Sequence, residues 1–372
     1  MTVRTSSPRL TSPTRRRGHR RRGTAAVLTA LALAVLAAGC STVGETGDGG
    51  SGSAATGRVV LVTHDSFSVS KKLLAAFEAD SGLDVTLRAP GDAGSLVNQL
   101  VLSKDAPLGD AVYGIDNSFA SRALDEGIVE PYASPLADRV VSGLEVDSTD
   151  RLTPVDYGDV CVNVDRKWFK QRGLAEPETL ADLADPAYRD LLVVSNPATS
   201  SPGLAFLLAT IDAYGDDWTD YWAQLRDNGV EVADSWSDAY YVAFTGGGGD
   251  GSRPLVLSYA SSPPYTIEKG ADQPTTRALL ETCYRQVEYT GVLAGAENPE
   301  GAQELVDFLL SRPFQKDIPQ QMYVYPAVKG TPLPAKWKRF APLADNPYRV
   351  SSAEIDANRE EWIQRWTATV VG

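Results

Sequence analysis

The chain has 372 residues and a formal net charge of −13, with 48 acidic residues against 35 lysines and arginines. So acidic a chain lacks the basic footprint that nucleic-acid binding requires, which excludes DNA or RNA as a partner. Its length is large for one simple domain and suits two lobes.

The first 39 residues have the features of an export signal. Eight arginines lie within residues 4–22 with no acidic residue among them, and an apolar run at 25–38 follows. This order is typical of a secretory signal peptide, and the run is short for a transmembrane helix. Residues 36–40 resemble a lipoprotein signal, which implies cleavage before Cys40 and a lipid anchor on the outer face of the cytoplasmic membrane. An ordinary cleaved signal and an uncleaved anchor are the alternatives.

The rest of the chain is predicted to be a tether followed by two lobes. Residues 40–57 are rich in Gly, Ser, Thr and Ala, cannot bury apolar area, and are predicted to be flexible. Lobe 1 is predicted to contain residues 58–156 and 287–372, the latter with C-terminal helices, and lobe 2 residues 157–286. The chain is expected to cross between the lobes at 155–158 and 286–289.

The folded part alternates short apolar runs with helical patterns. Strands are predicted at residues 59–62, 85–87, 111–115, 160–164, 191–195 and 255–259. Helices are predicted at residues 68–80, 96–101, 120–126, 204–214 and 299–310. This alternation predicts an α/β fold with largely parallel sheets, in which ligands bind at the carboxyl ends of strands.

The sequence lacks the residues that most catalytic and metal sites need. Outside the predicted signal peptide His64 is the one histidine, so a histidine-rich metal site is excluded and a Ser-His-Asp triad would depend on it. The motifs G-x-S-x-G, H-E-x-x-H and C-x-x-C are absent, and the glycine run at 246–251 lacks the Lys of a phosphate loop. We therefore expect a binding protein, with no metal or cofactor, and not an enzyme.

Five segments combine aromatic residues, hydroxyl side chains and single acids beside predicted strand ends. They are residues 63–67, 91–95, 196–203, 235–240 and 258–265. In the third, Ser and Thr precede Pro202, Gly203 and an apolar helical run, which indicates the start of a helix. The free N–H groups there could bind an anion, and the alternative is that the hydroxyl side chains only cap the helix. The rings of Trp236, Tyr259 and Tyr265 either stack on a heteroaromatic ligand or pack in the core.

These segments, in this order, resemble the thiamine-binding periplasmic protein family. Residues 113–117, 155–158, 311–315 and 318–319 extend the resemblance, which covers about residues 58–366. It implies a two-lobed type II periplasmic-binding-protein fold with the ligand cleft between the lobes. It also implies a monomeric receptor that closes on thiamine, thiamine monophosphate or thiamine diphosphate and delivers it to an ABC permease with its ATPase.

The resemblance also assigns ligand contacts, position by position. They fall on Asp92, Ala93, Ser200, Ser201, Trp236, Tyr259, Ala260, Ser261, Ser262 and Tyr265. Asp92 is expected to accept a bond from the aminopyrimidine, and Ser200 and Ser201 to lie near a phosphate or hydroxyethyl tail. Two ligand positions depart from the family pattern, because His64 replaces a Tyr and Tyr323 replaces a stacking Trp.

Ferric iron and polyamines are the alternative ligands on this fold. Tyr240 and Tyr241 are similar to the paired tyrosines of ferric-iron binders, and acids beside aromatics suit a polyamine. A thiamine-degrading enzyme would need a nucleophilic cysteine in the cleft. Cys161 and Cys283 are an even pair in an oxidising compartment, so they are predicted to form a disulfide, with two buried thiols as the alternative.

Overall fold

The computed structural model describes residues 57–372. The predicted signal peptide at 1–39, the lipidation site Cys40 and nearly all of the predicted tether lie outside the described residues. The first strand begins at Gly57, the last residue of that tether. No helix of the described part is both long enough and apolar enough to cross a membrane.

The described residues form eleven strands and eleven α-helices. The strands are β1 (Gly57–Thr63), β2 (Leu83–Arg88), β3 (Ala111–Asp116), β4 (Val129–Glu130), β5 (Thr153–Asp165), β6 (Leu192–Ser195), β7 (Glu231–Ala233), β8 (Leu255–Tyr259), β9 (Thr276–Ala278), β10 (Tyr284–Leu293) and β11 (Tyr325–Pro326). The helices are α1 (Lys71–Ser81), α2 (Ala93–Leu102), α3 (Ala120–Asp125), α4 (Arg166–Arg172), α5 (Leu180–Leu183), α6 (Ser201–Tyr214), α7 (Trp218–Asp227), α8 (Pro299–Leu309), α9 (Arg312–Gln321), α10 (Trp337–Phe340) and α11 (Ser352–Val370). One π-helix spans Asp238–Ala243.

The eleven strands belong to one mixed sheet in the order β2-β1-β3-β10-β5-β8-β6-β7, with β4 on β10 and with β9 and β11 on β5. At one end β1 pairs in parallel with β2 and β3, and at the other β6 pairs in parallel with β7 and β8. In the middle, β5 and β10 run antiparallel to each other and to β8 and β3. The prediction of largely parallel sheets is therefore wrong in the middle, where the chain runs out along β5 and returns along β10.

The two predicted lobe crossings pair with each other in this central ladder. Gln286 lies opposite Gly158, and Glu288 lies opposite Asp156. Because these strands link the two parallel groups, the ladder lies where a hinge between lobes is predicted. The lobe boundaries themselves stay a prediction.

Local sequence signals explain where several elements begin and end. α1 ends at Gly82, whose φ of 76° is left-handed and suits glycine. Asn298 caps α8 by accepting from the Gly301 N–H at 2.9 Å. At the C-terminus, Trp366 of α11 is fully buried and meets Trp222 of α7 edge-on, with ring centroids 5.5 Å apart. The C-terminal helix is therefore fixed to the core.

Candidate functional site

A cavity of about 390 Å³ lies between the β1–α2 side of the molecule and the β6–β8 side. Its walls come from the ends of strands, helix starts, the end of α9 and the segment after it. They consist of His64, Asp65, Ser66, Phe67, Ser68, Asp92, Ser201, Pro202, Trp236, Ser237, Tyr241, Tyr259, Glu288, Gln320, Gln321, Met322, Tyr323 and Val324. Its size fits a small-molecule ligand.

The cavity brings together about half of the residues that the sequence predicts as ligand contacts. The six that line it are His64, Asp92, Ser201, Trp236, Tyr259 and Tyr323. The six that lie outside the lining are Ala93, Ser200, Ala260, Ser261, Ser262 and Tyr265. Most of the second group contact members of the first, so they form its support.

His64 is held in one orientation at the end of β1. The Ser66 N–H donates to its Nδ1 at 3.2 Å, and its Nε2 lies 3.4 Å from Oε1 of Glu288. Because Nδ1 accepts, this network assigns the neutral tautomer with its proton on Nε2. The ring packs on β3 at Gly114, where a Cβ would come within 2.2 Å of the imidazole and φ is 99°. Only glycine leaves room for the ring there.

Opposing influences act on the pKa of His64. Burial lowers it, but the Glu288 carboxylate, with Asp92 and Asp65 nearby, raises it more, so the pKa lies above its ordinary value. The Ser66 N–H at Nδ1 opposes protonation, since a second ring proton would remove its acceptor. The imidazole is thus placed between a group that favours its neutral form and carboxylates that favour its cation.

Glu288 belongs to a buried network that sequence analysis did not assign to the site. The Tyr113 hydroxyl donates to Asp156, and its oxygen lies 3.0 Å from Oε2 of Glu288. A hydroxyl has one proton and cannot donate to two carboxylates at once, so a proton on Asp156 completes the network. Burial and the charge of Glu288 raise the pKa of Asp156 well above its usual range.

Glu288 therefore carries the charge of this pair. Burial raises its pKa, but the positive charge of His64 when protonated and hydrogen bonding to His64 and Asp156 lower it more, so its pKa lies below the ordinary value. The result is one buried carboxylate facing the cavity, supported from behind by a neutral acid.

Asp92 joins the two sides of the cavity. It caps α2 through the Ala93 N–H, which donates to Oδ1 at 2.7 Å, and the backbone N–H of Trp236 donates to Oδ2 at 2.9 Å. Burial raises the pKa of Asp92, and these bonds with one from Ser200 lower it, with a net rise. Nearby, Ser95 N–H donates to the Thr199 carbonyl at 3.1 Å. The described state is therefore closed across the cleft.

The start of α6 forms the floor near Ser201. Ser200 is the N-cap, and its hydroxyl accepts from the Gly203 N–H at 3.5 Å. Ser201 is 2% exposed, and its hydroxyl has no hydrogen-bond partner among the described residues. An unpartnered hydroxyl at the positive end of a 14-residue helix can accept or donate a bond to a ligand oxygen.

Trp236 and its neighbours form an aromatic surface. The indole stacks on Tyr240 with centroids 5.1 Å apart, and its Nε1–H donates to Ser258 at 3.0 Å. The Ser258 hydroxyl in turn lies 2.9 Å from that of Ser262. Tyr241, on the π-helix, lies at the cavity mouth and is 44% exposed. Such helices often occur at functional sites.

Tyr323 packs against the aromatic cluster around Trp236 and has an unusual backbone conformation. Its φ is 61°, in the left-handed region that non-glycine residues rarely adopt. The Ser261 hydroxyl donates to its carbonyl, and the ring of Tyr265 lies 4.0 Å from its ring, between centroids. Ser261 and Tyr265 thus position Tyr323 and do not line the cavity themselves.

Ala260 is packed beside a disulfide. Cys161 and Cys283 are bonded to each other, with Cα atoms 4.2 Å apart, and Ala260 and Ala344 cover them. This bond holds β5 against the residue that precedes β10. Neither sulfur is available as a nucleophile.

Sequence reasoning missed Glu288 and residues 320–322 as parts of the cavity. Glu288 lies in β10, where a carboxylate between Val287 and Tyr289 was the available signal, since unpaired buried acids are rare. Gln320 and Gln321 are the last residues of α9 and Met322 follows them, and the three carry no signal in the sequence.

Known proteins resemble this chain in sequence and in fold. The family model of bacterial extracellular solute-binding proteins matches residues 107–259. The thiamine-binding periplasmic protein of Escherichia coli (strain K12) is 32% identical over 320 residues, which cover 84% of this chain and 93% of that protein.

Solved structures give the same result for the fold. A periplasmic thiamin binding protein matches with a TM-score of 0.75 and 30% identity, over 84% of this chain and 96% of that one. Iron-bound HitA from Pseudomonas aeruginosa matches with a TM-score of 0.66 and 20% identity, over 84% and 99% respectively, and this likeness concerns the fold alone. The prediction of a two-lobed type II periplasmic-binding-protein fold is confirmed.

Proposed function

Because this chain belongs to the family of thiamine-binding periplasmic proteins, we propose that it captures thiamine or a thiamine phosphate outside the cytoplasm for an ABC importer. Like its relatives, it is an exported solute-binding protein and not an enzyme. The thiamine ligand, the lipid anchor and the permease are the parts that we propose.

The charge of the cavity carries the proposal. Its lining includes the carboxyl groups of Asp65, Asp92 and Glu288 but neither lysine nor arginine among the described residues. A buried carboxylate without a fixed cation attracts a positively charged ligand, because pairing offsets the cost of its burial. The thiazolium ring of thiamine supplies that charge.

The aromatic residues suit the two flat rings of thiamine. Trp236, Tyr259 and Tyr323 line the cavity, and both tyrosines pack against the cluster that contains Trp236. Each offset stack contributes about 0.5–1.5 kcal/mol, and a cation over a desolvated ring adds about 0.5–2 kcal/mol. Two stacked rings and one ion pair together select a cationic heteroaromatic molecule over an aliphatic one.

The start of α6 suits the tail of the ligand. The free hydroxyl of Ser201 and the positive end of the helix accept either a hydroxyethyl group or a phosphate ester. Ligand stabilises the closed state through its higher affinity for that state, and the closed receptor is presented to the permease. In this proposal the receptor acts as a monomer that a lipid on Cys40 holds at the membrane.

Ferric iron fits the cavity less well. Tyr240 stacks on Trp236 and does not line the cavity, so it and Tyr241 do not converge on one point. Burial, with Tyr323 nearby, raises the pKa of Tyr241 to about 12, which disfavours the phenolate that iron needs. Within residues 57–372 no group of three or more His, Cys, Asp or Glu residues is placed to hold a metal ion.

The test is a calorimetric titration of the purified protein, unfolded and refolded beforehand to remove any carried-over ligand. We expect saturable one-to-one binding of thiamine, with spermidine and ferric ion inert. Parallel titrations with thiamine monophosphate and diphosphate give the preference among the esters. A folded, ligand-free protein that binds spermidine or iron and not thiamine would overturn the assignment.

A further inference from the structure

The positive group nearest to Glu288 is a side chain that can lose its charge. Of the residues that line the cavity, His64 is the one that can become cationic at ordinary pH, and its Nε2 lies 3.4 Å from Glu288. A ligand cation seated beside Glu288 would meet the same imidazole. Two positive charges at one carboxylate repel each other, and burial makes the repulsion stronger than it would be in water.

The groups around His64 come from four directions. Glu288 faces it from β10, Asp92 from the cap of α2, Asp65 from the same loop, and the ring of Tyr113 from β3 at 5.5 Å between centroids. Asp156 lies one step further away, beyond Tyr113, and is held neutral. Thus the ionised neighbours are all negative, and they favour a proton on the imidazole while no other cation is present.

The closed geometry belongs to the neutral imidazole. Nδ1 accepts the Ser66 N–H, and the Ser66 hydroxyl lies 3.5 Å from that of Ser237 on the opposite side of the cleft. Protonation of Nδ1 would turn this acceptor into a donor and break the bond to Ser66. Protonation of Nδ1 and closure of the cleft on a bound cation are therefore mutually exclusive.

We propose that a cationic ligand replaces the positive charge of protonated His64 beside Glu288, so that capture of the ligand releases a proton from the protein. The proton leaves Nδ1 for solvent, Nε2 keeps its own, and Nδ1 then accepts from Ser66. This inference rests on the proposed capture of thiamine.

Linkage gives the direction of the effect. The negative neighbours raise the pKa of His64 in the free protein, and the bound cation lowers it again, so protons are released on binding. Thiamine affinity therefore rises with pH until the imidazole of the free protein is neutral. Below that pKa, affinity falls by up to about tenfold for each pH unit, since one proton is exchanged.

The experiment is calorimetry of thiamine binding to the purified protein, in pairs of buffers with different ionisation enthalpies, between about pH 5 and 8. We expect up to one proton released per thiamine bound at the lower end of this range, and none at the upper end. An uncharged analogue with a thiophene ring in place of thiazolium has the same aminopyrimidine, so it corrects for protons taken up by the ligand. It should release none from His64.

The variant His64→Gln tests the source of the proton. Gln is neutral throughout this range, so we expect the pH dependence of thiamine affinity to flatten. Three results would each overturn the inference. They are equal proton release by His64→Gln and wild type, equal release with thiamine and the uncharged analogue, and no release by wild type. Saturable thiamine binding without proton release would leave the proposed function standing, whereas absence of thiamine binding at any pH would overturn that function and this inference with it.

Discussion

The cavity has two walls that are built in different ways. The charged wall (His64, Asp92 and Glu288) is fixed by hydrogen bonds to buried groups such as Tyr113, Asp156 and the Trp236 N–H. The aromatic wall (Trp236, Tyr241 and Tyr259) is fixed mainly by rings packed on rings. A change of one atom in the charged wall alters a charge, whereas a comparable change in the aromatic wall alters contact area. The first wall should therefore decide which charge is admitted, and the second which shape.

The variant Glu288→Gln should give the largest effect, because it removes the carboxylate and keeps the volume. We expect thiamine affinity to fall by about 2 kcal/mol, roughly thirtyfold, measured by calorimetry at neutral pH. The uncharged thiophene analogue should lose much less. The matched control is Glu297→Gln, which changes an exposed carboxylate outside this cavity. Equal losses for thiamine and the analogue would show that Glu288 acts through the fold and not as a counter-ion.

Trp236→Ala should come next, because it removes the largest ring of the aromatic wall. We expect at least about a tenfold loss of thiamine affinity, and the analogue should lose affinity as well, since stacking needs no full charge. Trp168→Ala on α4 is the control, since that ring is half-buried and does not line the cavity. Circular dichroism of both variants checks the fold. If thiamine affinity is unchanged in a folded Trp236→Ala protein, the aromatic wall does not contact the ligand.

Asp92→Asn should give the smallest of the three effects. Asn caps a helix as well as Asp, so α2 is retained. The substitution removes one acceptor and the charge. The new NH2 group would face either the Trp236 N–H or the aminopyrimidine of the ligand, which lowers the binding free energy by about 1 kcal/mol. We expect a corresponding severalfold fall in thiamine affinity by fluorescence titration. Full affinity would remove Asp92 from the set of ligand contacts.

Two of the three residues in each wall could be predicted from the sequence: His64 and Asp92 in the charged wall, and Trp236 and Tyr259 in the aromatic wall. Trp236, Tyr259 and Asp92 lie beside strand ends within segments of recognisable composition, and parallel strands bring such ends together. Glu288 could not be placed in the same way. It reaches the cavity because β10 runs antiparallel to β5 and β3, with register shifts in both ladders between residues 288 and 290. Local pattern carries no information on such a long-range register.

Helix and strand positions were predicted better than their limits and pairing. The buried run at 160–164 lies inside β5, which is more than twice as long because Thr153–Asp165 is paired on both sides. The π-helix at Asp238–Ala243 was not predicted, since its wider turn depends on how Tyr240 and Phe244 pack against Trp236. Tertiary packing, and not propensity, decides both features.

The disulfide has a topological consequence. It joins positions separated by 122 residues whose Cα atoms are 4.2 Å apart, so the intervening chain, which contains β6 to β9 of the same sheet, begins and ends at adjacent points. The disulfide closes that segment into a covalent loop, as in a domain inserted into another domain. A circular permutant could be opened within the exposed residues 268–272, with the natural ends joined through a linker. We expect it to keep the same sheet, because the disulfide would still hold Cys161 next to Cys283.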